Sequence, residues 1–149
     1  MAKQSKRFRA LAEKRKEDAL PLADAVKAIN ENTLVVCMIE TQEGLDNVNE
    51  IAAVEGVDVI HVGSNDLMTA LGKPGAYGTP EHIAALDRVF AAAKAHGKIP
   101  GVGGDRNVPR QMEFIRKGAR FLTTNSDIAF MMAEASRVTG ELRKALASA

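Results

Sequence analysis

Four short apolar runs alternate with amphipathic segments between residues 34 and 147 of this 149-residue chain. The clearest run, Leu34 to Ile39, holds six apolar residues, is rich in β-branched side chains and has polar neighbours at both ends. Such a run is typical of a strand buried on both faces of a parallel sheet. Because strand and helix patterns alternate, the chain is predicted to form an α/β fold of parallel strands joined by right-handed crossovers.

A helix is predicted after Pro21, followed by four strand–helix units. The strands are predicted at Leu34 to Ile39, Val57 to Val62, Lys98 to Val102 and Phe121 to Thr123, with helices around Gly44 to Ala52, Leu67 to Leu71, Pro80 to His96, Val108 to Lys117 and Asp127 to Ala147. Four units make half of a TIM-type β/α barrel, which usually needs about 250 residues. A small, open, doubly wound sheet is the alternative.

Two regions are predicted. Residues 1–32 form a charged helical N-terminal arm, in which residues 3 to 18 are dense in Lys, Arg, Glu and Asp. That segment is predicted to be a solvated face, with a contact arm for a partner subunit as the alternative. Residues 33–149 form the half barrel. A half barrel leaves two sheet edges and an apolar inner face uncovered, so a homo-oligomer or a complementing half-barrel chain is expected.

Composition disfavours several function classes. A formal net charge of +1, no Trp and a single Tyr, Tyr77, argue against a nucleic-acid partner. No apolar run reaches the roughly 18–20 residues of a membrane span, and the N-terminus has no apolar signal region, so neither a membrane nor a secreted location is expected. Cys37 is the only cysteine, so no intramolecular disulfide can form. A cytoplasmic location is the expectation.

Carboxylates follow the first two predicted strands. Glu40 comes directly after the first run, and Asp66 comes shortly after the second. Neighbouring parallel strands lie about 4.8 Å apart, so the two carboxylates could converge on one ion. Two carboxylates with room for water and a chelating ligand suit Mg²⁺ or Mn²⁺, with Co²⁺ as a further candidate. The alternative is that each carboxylate only caps the helix that follows it.

Other polar residues carry weaker signals. Gly63 to Asp66 offers backbone N–H groups at a helix start, where an anion such as a substrate carboxylate could bind. Neither a Walker loop nor a dinucleotide fingerprint is present. His82 and His96 fall on a predicted helix and are expected to be solvated. His61 lies within the second strand, where a packed core residue is favoured over a base, and no His pair has metal-ligand spacing.

Several segments together resemble the HpcH/HpaI aldolase and citrate lyase β-subunit-like family of metal-dependent 2-keto-3-deoxy acid aldolases. The resemblance covers roughly residues 33 to 147. The matching segments are Val36 to Thr41, Gly44 to Asn47, Ile51 to Asp58, Gly63 to Leu67, Leu71 to Gly75, Ala95 to Lys98, Gly118 to Phe121 and Ser126 to Asp127.

The resemblance implies site roles. Glu40 and Asp66 match the two metal-ligand carboxylates, and the turn of Ser64, Asn65 and Asp66 matches the place where backbone N–H groups hold the carboxylate of pyruvate or another 2-oxo acid. Met38 stands where the family usually has Gln, and Ser64 where it has Pro. The family's catalytic His and its oxo-group Arg belong to an N-terminal half that residues 1 to 32 do not resemble.

The implied activity is a class II pyruvate aldolase, a lyase that cleaves 4-hydroxy-2-oxo acids to pyruvate and an aldehyde. The alternative is a truncated or non-catalytic half-barrel subunit that binds a metal and a 2-oxo acid and needs another chain. The residues do not identify a catalytic base, although His61 is the first candidate to test if the chain turns over substrate unaided.

Overall fold

The computed structural model describes residues 21–148, which divide into two units between Thr33 and Leu34. In the first unit, helix α1 spans Leu22–Glu31, as predicted from the apolar spacing after Pro21. It ends where the side chains of Asn32 and Thr33 donate hydrogen bonds to carbonyls of its last turn. The charged segment of residues 3 to 18 lies outside the described residues, and the arm remains a prediction.

The second unit contains four strand–helix units in the predicted order. Its elements are β1 (Val36–Ile39), α2 (Gln42–Asp46), α3 (Val48–Ala53), β2 (Val59–Gly63), α4 (Ser64–Ala70), α5 (Pro80–Ala95), β3 (Ile99–Gly103), α6 (Val108–Lys117), β4 (Phe121–Thr123) and α7 (Asp127–Ala147). Among residues 21–148, no helix is long and apolar enough to cross a membrane.

The four strands form one parallel sheet in the order β1-β2-β3-β4. Each strand therefore pairs with the next one along the chain, and the order never reverses. A doubly wound domain has a switch point at which the strand order reverses. The observed order excludes that alternative for this sheet and is the order of consecutive strands in a barrel.

The two faces of the sheet differ. Ile39, Val62 and Val102 lie at one level of the register and belong to the hydrophobic core, which they share with helix residues such as Leu86 and Phe114. Full burial of each such side chain contributes about 1.5–3 kcal/mol. Side chains alternate between the two faces of a strand. The residues next to Ile39, Val62 and Val102 in the strands therefore point to the opposite side of the sheet, which is called the inner face.

Within the second unit, the helix residues that share the hydrophobic core with the strands pack against the outer face of the sheet. On the inner face, Met38 is 51% exposed and Ile99 is 39% exposed, whereas the next residue of each strand, Ile39 or Pro100, is buried. An open inner face is the arrangement expected of half a barrel.

Two helices differ from their predicted extents. The predicted helix after Thr41 is split into α2 and α3 at Asn47, whose backbone N–H and side-chain amide both donate to the carbonyl of Glu43. An Asn side chain that binds backbone in this way competes with helix continuation. Helix α4 begins at Ser64 rather than Leu67, with Gly63 as its N-cap residue, so Asp66 lies within its first turn.

Candidate functional site

Glu40 and Asp66 lie together at the carboxyl end of the sheet. Glu40 follows β1 directly, one step beyond the pair formed by Ile39 and Val62, so it lies level with Gly63 of β2. A Cβ atom at Gly63 would come within 2.5 Å of Glu40 Oε1 and 2.7 Å of its Cγ. Gly63 therefore lets the Glu40 side chain lie across β2, toward Asp66 on the first turn of α4.

The two carboxyl groups interact directly. Burial, the negative charge of Asp66 and a hydrogen bond with Asp66 all raise the pKa of Glu40 above its usual value. Two neighbouring carboxylates repel each other unless a proton or a cation lies between them. The pair is thus a place where a positive charge would be stabilised.

Neither carboxylate is the N-cap residue of its helix. Thr41 caps α2, because its Oγ1 accepts a hydrogen bond from the Gly44 N–H at 3.0 Å. Helix α4 has Gly63 at its N-cap and no side-chain cap hydrogen bond. The capping alternative, which treated both carboxylates as caps only, has no support in this geometry.

Asn65 is held in place beside the carboxylate pair. The Tyr77 hydroxyl donates a hydrogen bond to its side-chain oxygen, Oδ1. Gly104, with a φ of 90°, passes so close that a Cβ there would lie 3.0 Å from the Asn65 backbone nitrogen. Since first-turn N–H groups have no acceptor within their own helix, the N–H groups of Asn65 and Asp66 are available to an anion.

The prediction that His82 is solvated is wrong. His82 is fully buried, and its Nδ1 accepts a hydrogen bond from the Gly78 N–H at 3.0 Å. The proton is therefore assigned to Nε2, which lies 3.1 Å from Ser64 Oγ and donates to it. Burial lowers the pKa of His82, which favours this neutral form. His96 is exposed, as predicted.

Ser64 contacts His82 through its side chain. Its side chain is fully buried and its hydroxyl is engaged by His82, so the hydroxyl supports the start of α4. Only its backbone N–H could contribute to the anion-binding turn predicted from the sequence.

A cavity of about 140 Å³ lies at this edge of the sheet. Its lining combines the carboxylate pair, the first turn of α4 and inner-face positions of all four strands: Met38, Glu40, His61, Gly63, Ser64, Asn65, Asp66, Gly103, Gly104 and Thr123. The sequence-predicted site residues therefore share one cavity. Within residues 21–148, no group of three or more His, Cys, Asp or Glu side chains is arranged to hold a metal ion.

A second, wider hollow of about 380 Å³ shares Asn65 and Gly104 with the first and includes Arg106 and Arg110 in its wall. Arg110 is neutralised by buried Asp105, through hydrogen bonds from Nε at 2.5 Å and Nη2 at 2.9 Å. Burial alone would raise the pKa of Asp105, but Arg110 and the Asn107 N–H hold it below its usual value.

Arg106 was not identified from the sequence. It borders the second hollow and also a third one formed by residues 123–126. No carboxylate of the described chain forms an ion pair with it. Its signal in the sequence, one charge in a Gly-rich loop, does not differ from that of an ordinary surface arginine.

Rising pH is expected to destabilise the wild-type chain relative to Glu40→Gln. The raised pKa of Glu40 means that the folded chain keeps this proton to a higher pH than the unfolded chain. Proton binding by Glu40 therefore stabilises the folded chain. This stabilisation is complete below the ordinary pKa of 4.5 and is lost as pH rises through the raised pKa of the folded chain. Gln cannot ionise. The free energy of unfolding of Glu40→Gln should therefore increase relative to that of the wild type as pH rises between these two pKa values.

Urea unfolding of the apo proteins over about pH 4 to 7 measures this difference. Asp127→Asn, at the same edge of the sheet but outside the cavity, is the control for the loss of a carboxylate. A difference between Glu40→Gln and wild type that is independent of pH would show that Glu40 does not feel Asp66 in solution.

Comparison with known proteins gives sequence relatives. The family described as HpcH/HpaI aldolase/citrate lyase matches residues 2–133, so the likeness begins well before the region where motifs were found. The 5-keto-4-deoxy-D-glucarate aldolase of Citrobacter koseri is 38% identical over 117 residues, which cover 77% of this chain and 44% of that protein. The same enzyme of Shigella boydii is 35% identical over 125 residues, covering 83% and 48%.

Solved structures confirm the fold. An HpcH/HpaI aldolase from Desulfitobacterium hafniense superimposes with a TM-score of 0.75 at 22% identity, covering 85% of this chain and 49% of that chain. An aldolase/citrate lyase family protein from Burkholderia cenocepacia gives a TM-score of 0.72 at 29% identity, covering 80% and 46%. The sheet is thus a partial TIM-type barrel, as predicted.

The chain spans about half the length of the curated relatives it matches. The family match nevertheless extends over most of its residues, including both carboxylates and the turn at the start of α4. By this match and by its fold, the chain belongs to the HpcH/HpaI aldolase/citrate lyase family.

Proposed function

We propose that the chain contributes the metal- and 2-oxo-acid-binding half of a class II pyruvate aldolase. In this reaction a 4-hydroxy-2-oxo acid is cleaved to pyruvate and an aldehyde. The observation that carries the proposal is the pairing of Glu40 with Asp66 across Gly63, at the carboxyl end of a parallel sheet. In β/α barrels that end of the strands carries the active site.

The paired carboxylates fit a hard divalent cation. The carboxylates repel each other, and this repulsion contributes to the raised pKa of Glu40. A Mg²⁺ or Mn²⁺ ion bound by both would offset the repulsion. Such ions are often held by one or two carboxylates, with water and substrate oxygens completing the shell. Two protein ligands in a small cavity meet that description, and Co²⁺ is the further candidate.

The chain's own residues would orient the substrate. Glu40 would be held by β1 and Asp66 by the first turn of α4, so both ligands lie on regular elements. The N–H groups of Asn65 and Asp66 would receive the carboxylate of the 2-oxo acid. The bound ion would supply Lewis-acid stabilisation of negative charge on the 2-oxo group. No strand end among residues 34–148 carries a lysine, so a Schiff base is not part of the proposal.

Arg106 supports a substrate with an anionic far end. The relatives in Citrobacter koseri and Shigella boydii are named for 5-keto-4-deoxy-D-glucarate, a sugar acid with a carboxylate at each end. One carboxylate would lie in the first cavity, and the other would bind Arg106. Arg106 lines two hollows that share Asn65 and Gly104 with that cavity. We propose substrates of this kind for the chain, in a cytoplasmic enzyme.

A metal-dependent cleavage assay tests the proposal. With Mn²⁺, the full chain is expected to release pyruvate from a 4-hydroxy-2-oxo acid far more slowly than the ordinary enzymatic range of about 1–10³ s⁻¹. The reason is that the resemblance assigns the base and the oxo-group Arg to the other half of the family's barrel. The release should stop on chelation and in Asp66→Asn. Oxidation of NADH by coupled lactate dehydrogenase measures the pyruvate.

A subunit that binds a metal and a 2-oxo acid without turnover is the second candidate. The exposed inner face at Met38 and Ile99 favours it, because that face would form the wall of a cavity completed by another chain. Binding of Mn²⁺ and pyruvate with no detectable release would select this candidate. Absence of both binding and release would contradict both.

A further inference from the structure

His61 is a buried polar residue on the inner face of the sheet. It is 1% exposed and lies in β2 between Ile60 and Val62, which both belong to the hydrophobic core on the outer face. His61 points the opposite way, as does Val59, which is buried without belonging to that core. The imidazole therefore lies on the side of the sheet where the cavity opens, and it forms part of the cavity lining.

Two glycines of β3 make room for the imidazole ring. A Cβ at Gly101 would lie 2.6 Å from His61 Nδ1, and a Cβ at Gly103 would lie 2.8 Å from Nε2. The ring also meets Phe121 edge to face, with centroids 5.5 Å apart and planes at 86°. Contact with two strands leaves the ring little freedom to rotate.

The two ring nitrogens face different surroundings. Nδ1 is buried and has no hydrogen-bond partner among the residues that the structure describes. Nε2 lies on the Gly103 side, and Gly103 pairs with Gly63, the glycine that Glu40 crosses. Nε2 is thus the nitrogen nearer to the carboxylate pair and the cavity.

The missing partner indicates the tautomer. Burial lowers the pKa of His61, so the ring is neutral and carries one proton. A buried N–H without an acceptor is rarer in proteins than an unpaired acceptor, which assigns the lone pair to Nδ1 and the proton to Nε2. His82 differs, because both of its nitrogens have partners within the protein. A histidine that served packing alone would be expected to resemble His82.

We infer that the Nε2–H of His61 is a substrate-binding donor, which forms a hydrogen bond to an oxygen of the 2-oxo acid held by Glu40, Asp66 and Asn65. This inference rests on the function proposed above. It assigns part of the cavity lining to this chain's own histidine, and it leaves Nδ1 as the buried, unpaired acceptor.

Nitrogen-15 NMR of the histidine side chains tests the tautomer and the contact. The chain contains only three histidines, and His61→Phe, His82→Phe and His96→Gln assign their signals. In the full-length chain, His61 should be neutral with Nε2 protonated. Pyruvate added with Mg²⁺ should shift the Nε2 signal of His61 and leave those of His82 and His96 unchanged. A proton on Nδ1, or a His61 signal that does not move while pyruvate binds, would overturn the inference.

Affinity for pyruvate in the presence of Mg²⁺ gives the second measurement. Phe keeps the ring and its packing on Phe121, so His61→Phe should remain folded but bind pyruvate about tenfold more weakly or worse. His61→Gln, whose amide can reach the Nε2 position, should recover part of the affinity, and His61→Asn, whose amide matches Nδ1, should not. His96→Gln is the control and should bind as wild type does.

The outcomes separate the two claims. Equal pyruvate affinity in wild type and His61→Phe would overturn the role of His61 and leave the proposed function intact. If wild type binds no pyruvate with Mg²⁺, the proposed function fails and the substrate contact of His61 fails with it. Thermal melting of each variant shows whether a loss of affinity reflects unfolding instead.

Discussion

Glu40→Gln and Asp66→Asn are each expected to lose most of the affinity for Mn²⁺. Residues that only support a metal ligand typically contribute 10–100-fold to affinity, so removal of one of two protein ligands should cost about 100-fold or more. Both substitutions keep the size of the side chain, and neither carboxylate is an N-cap residue. Isothermal titration of the full chain with Mn²⁺ measures the affinity.

The apo proteins separate ligation from a structural role. Removal of one of two repelling carboxylates should leave the melting temperature of the apo protein unchanged or raise it, because the repulsion disappears. A residue with a capping role would instead lose about 0.5–2 kcal/mol of stability on substitution, with metal binding intact. Asp127→Asn, which removes a carboxylate outside the cavity, is the matched control. Wild-type affinity in both cavity variants would remove Glu40 and Asp66 as the proposed ligands.

Self-association is the second large effect. The chain is expected to form a dimer or larger species of its 15.9 kDa subunit, with a second copy as the partner. Helix α7 has no buried residues and exposes seven large apolar side chains: Ile128, Phe130, Met131, Met132, Val138, Leu142 and Leu146. Met38 and Ile99 are exposed on the inner face of the sheet as well. Exposed apolar area of this extent is typical of an interface.

A second copy fits the length of the related structures. This chain covers 49% of the aldolase chain from Desulfitobacterium hafniense, so two copies would together supply the strands of one such barrel. Sedimentation equilibrium at micromolar concentration measures the mass. A stable monomer would contradict self-association and would favour a complementing half-barrel chain as the partner.

Charges on α7 provide the matched variants. Met131 and Leu142 lie on one stripe of the helix, and both are exposed in the single chain. The double variant Met131→Glu, Leu142→Glu should therefore fold. Its mass in sedimentation should shift toward that of the monomer. Ser136→Glu places a charge on the other side of the same helix and should leave the mass unchanged. If both variants stay associated, α7 is not the contact surface.

Local chemistry made several elements predictable. Helix α6 has its predicted bounds because Asn107 caps its start and Gly118, with a φ of 115°, ends it in a left-handed conformation. Thr79 caps α5 ahead of Pro80, also as predicted. Signals of this kind act within a few residues, so they can be read without knowledge of the fold. The predicted bounds of β4 are likewise those observed.

The approach of Glu40 to Asp66 was predictable for a different reason. Both follow apolar runs that are typical of buried parallel strands, and neighbouring parallel strands end at the same edge of a sheet. The residue that permits their contact, Gly63, was visible in the sequence, but its role was not. Only the register of β1 against β2 shows that a side chain at position 63 would collide with Glu40.

The histidines show what sequence alone could not determine. An apolar run buried on both faces has no polar pattern to mark which face is inner, so the direction of His61 depended on strand pairing. His82 was expected to be solvated because helical spacing does not reveal a buried partner 18 residues away, the hydroxyl of Ser64. The sequence determined the order of elements and the position of the carboxylates, since both follow from local patterns and chain direction. Tertiary structure alone decided which polar side chains are paired, buried or aimed at the cavity, because those properties depend on residues distant in sequence.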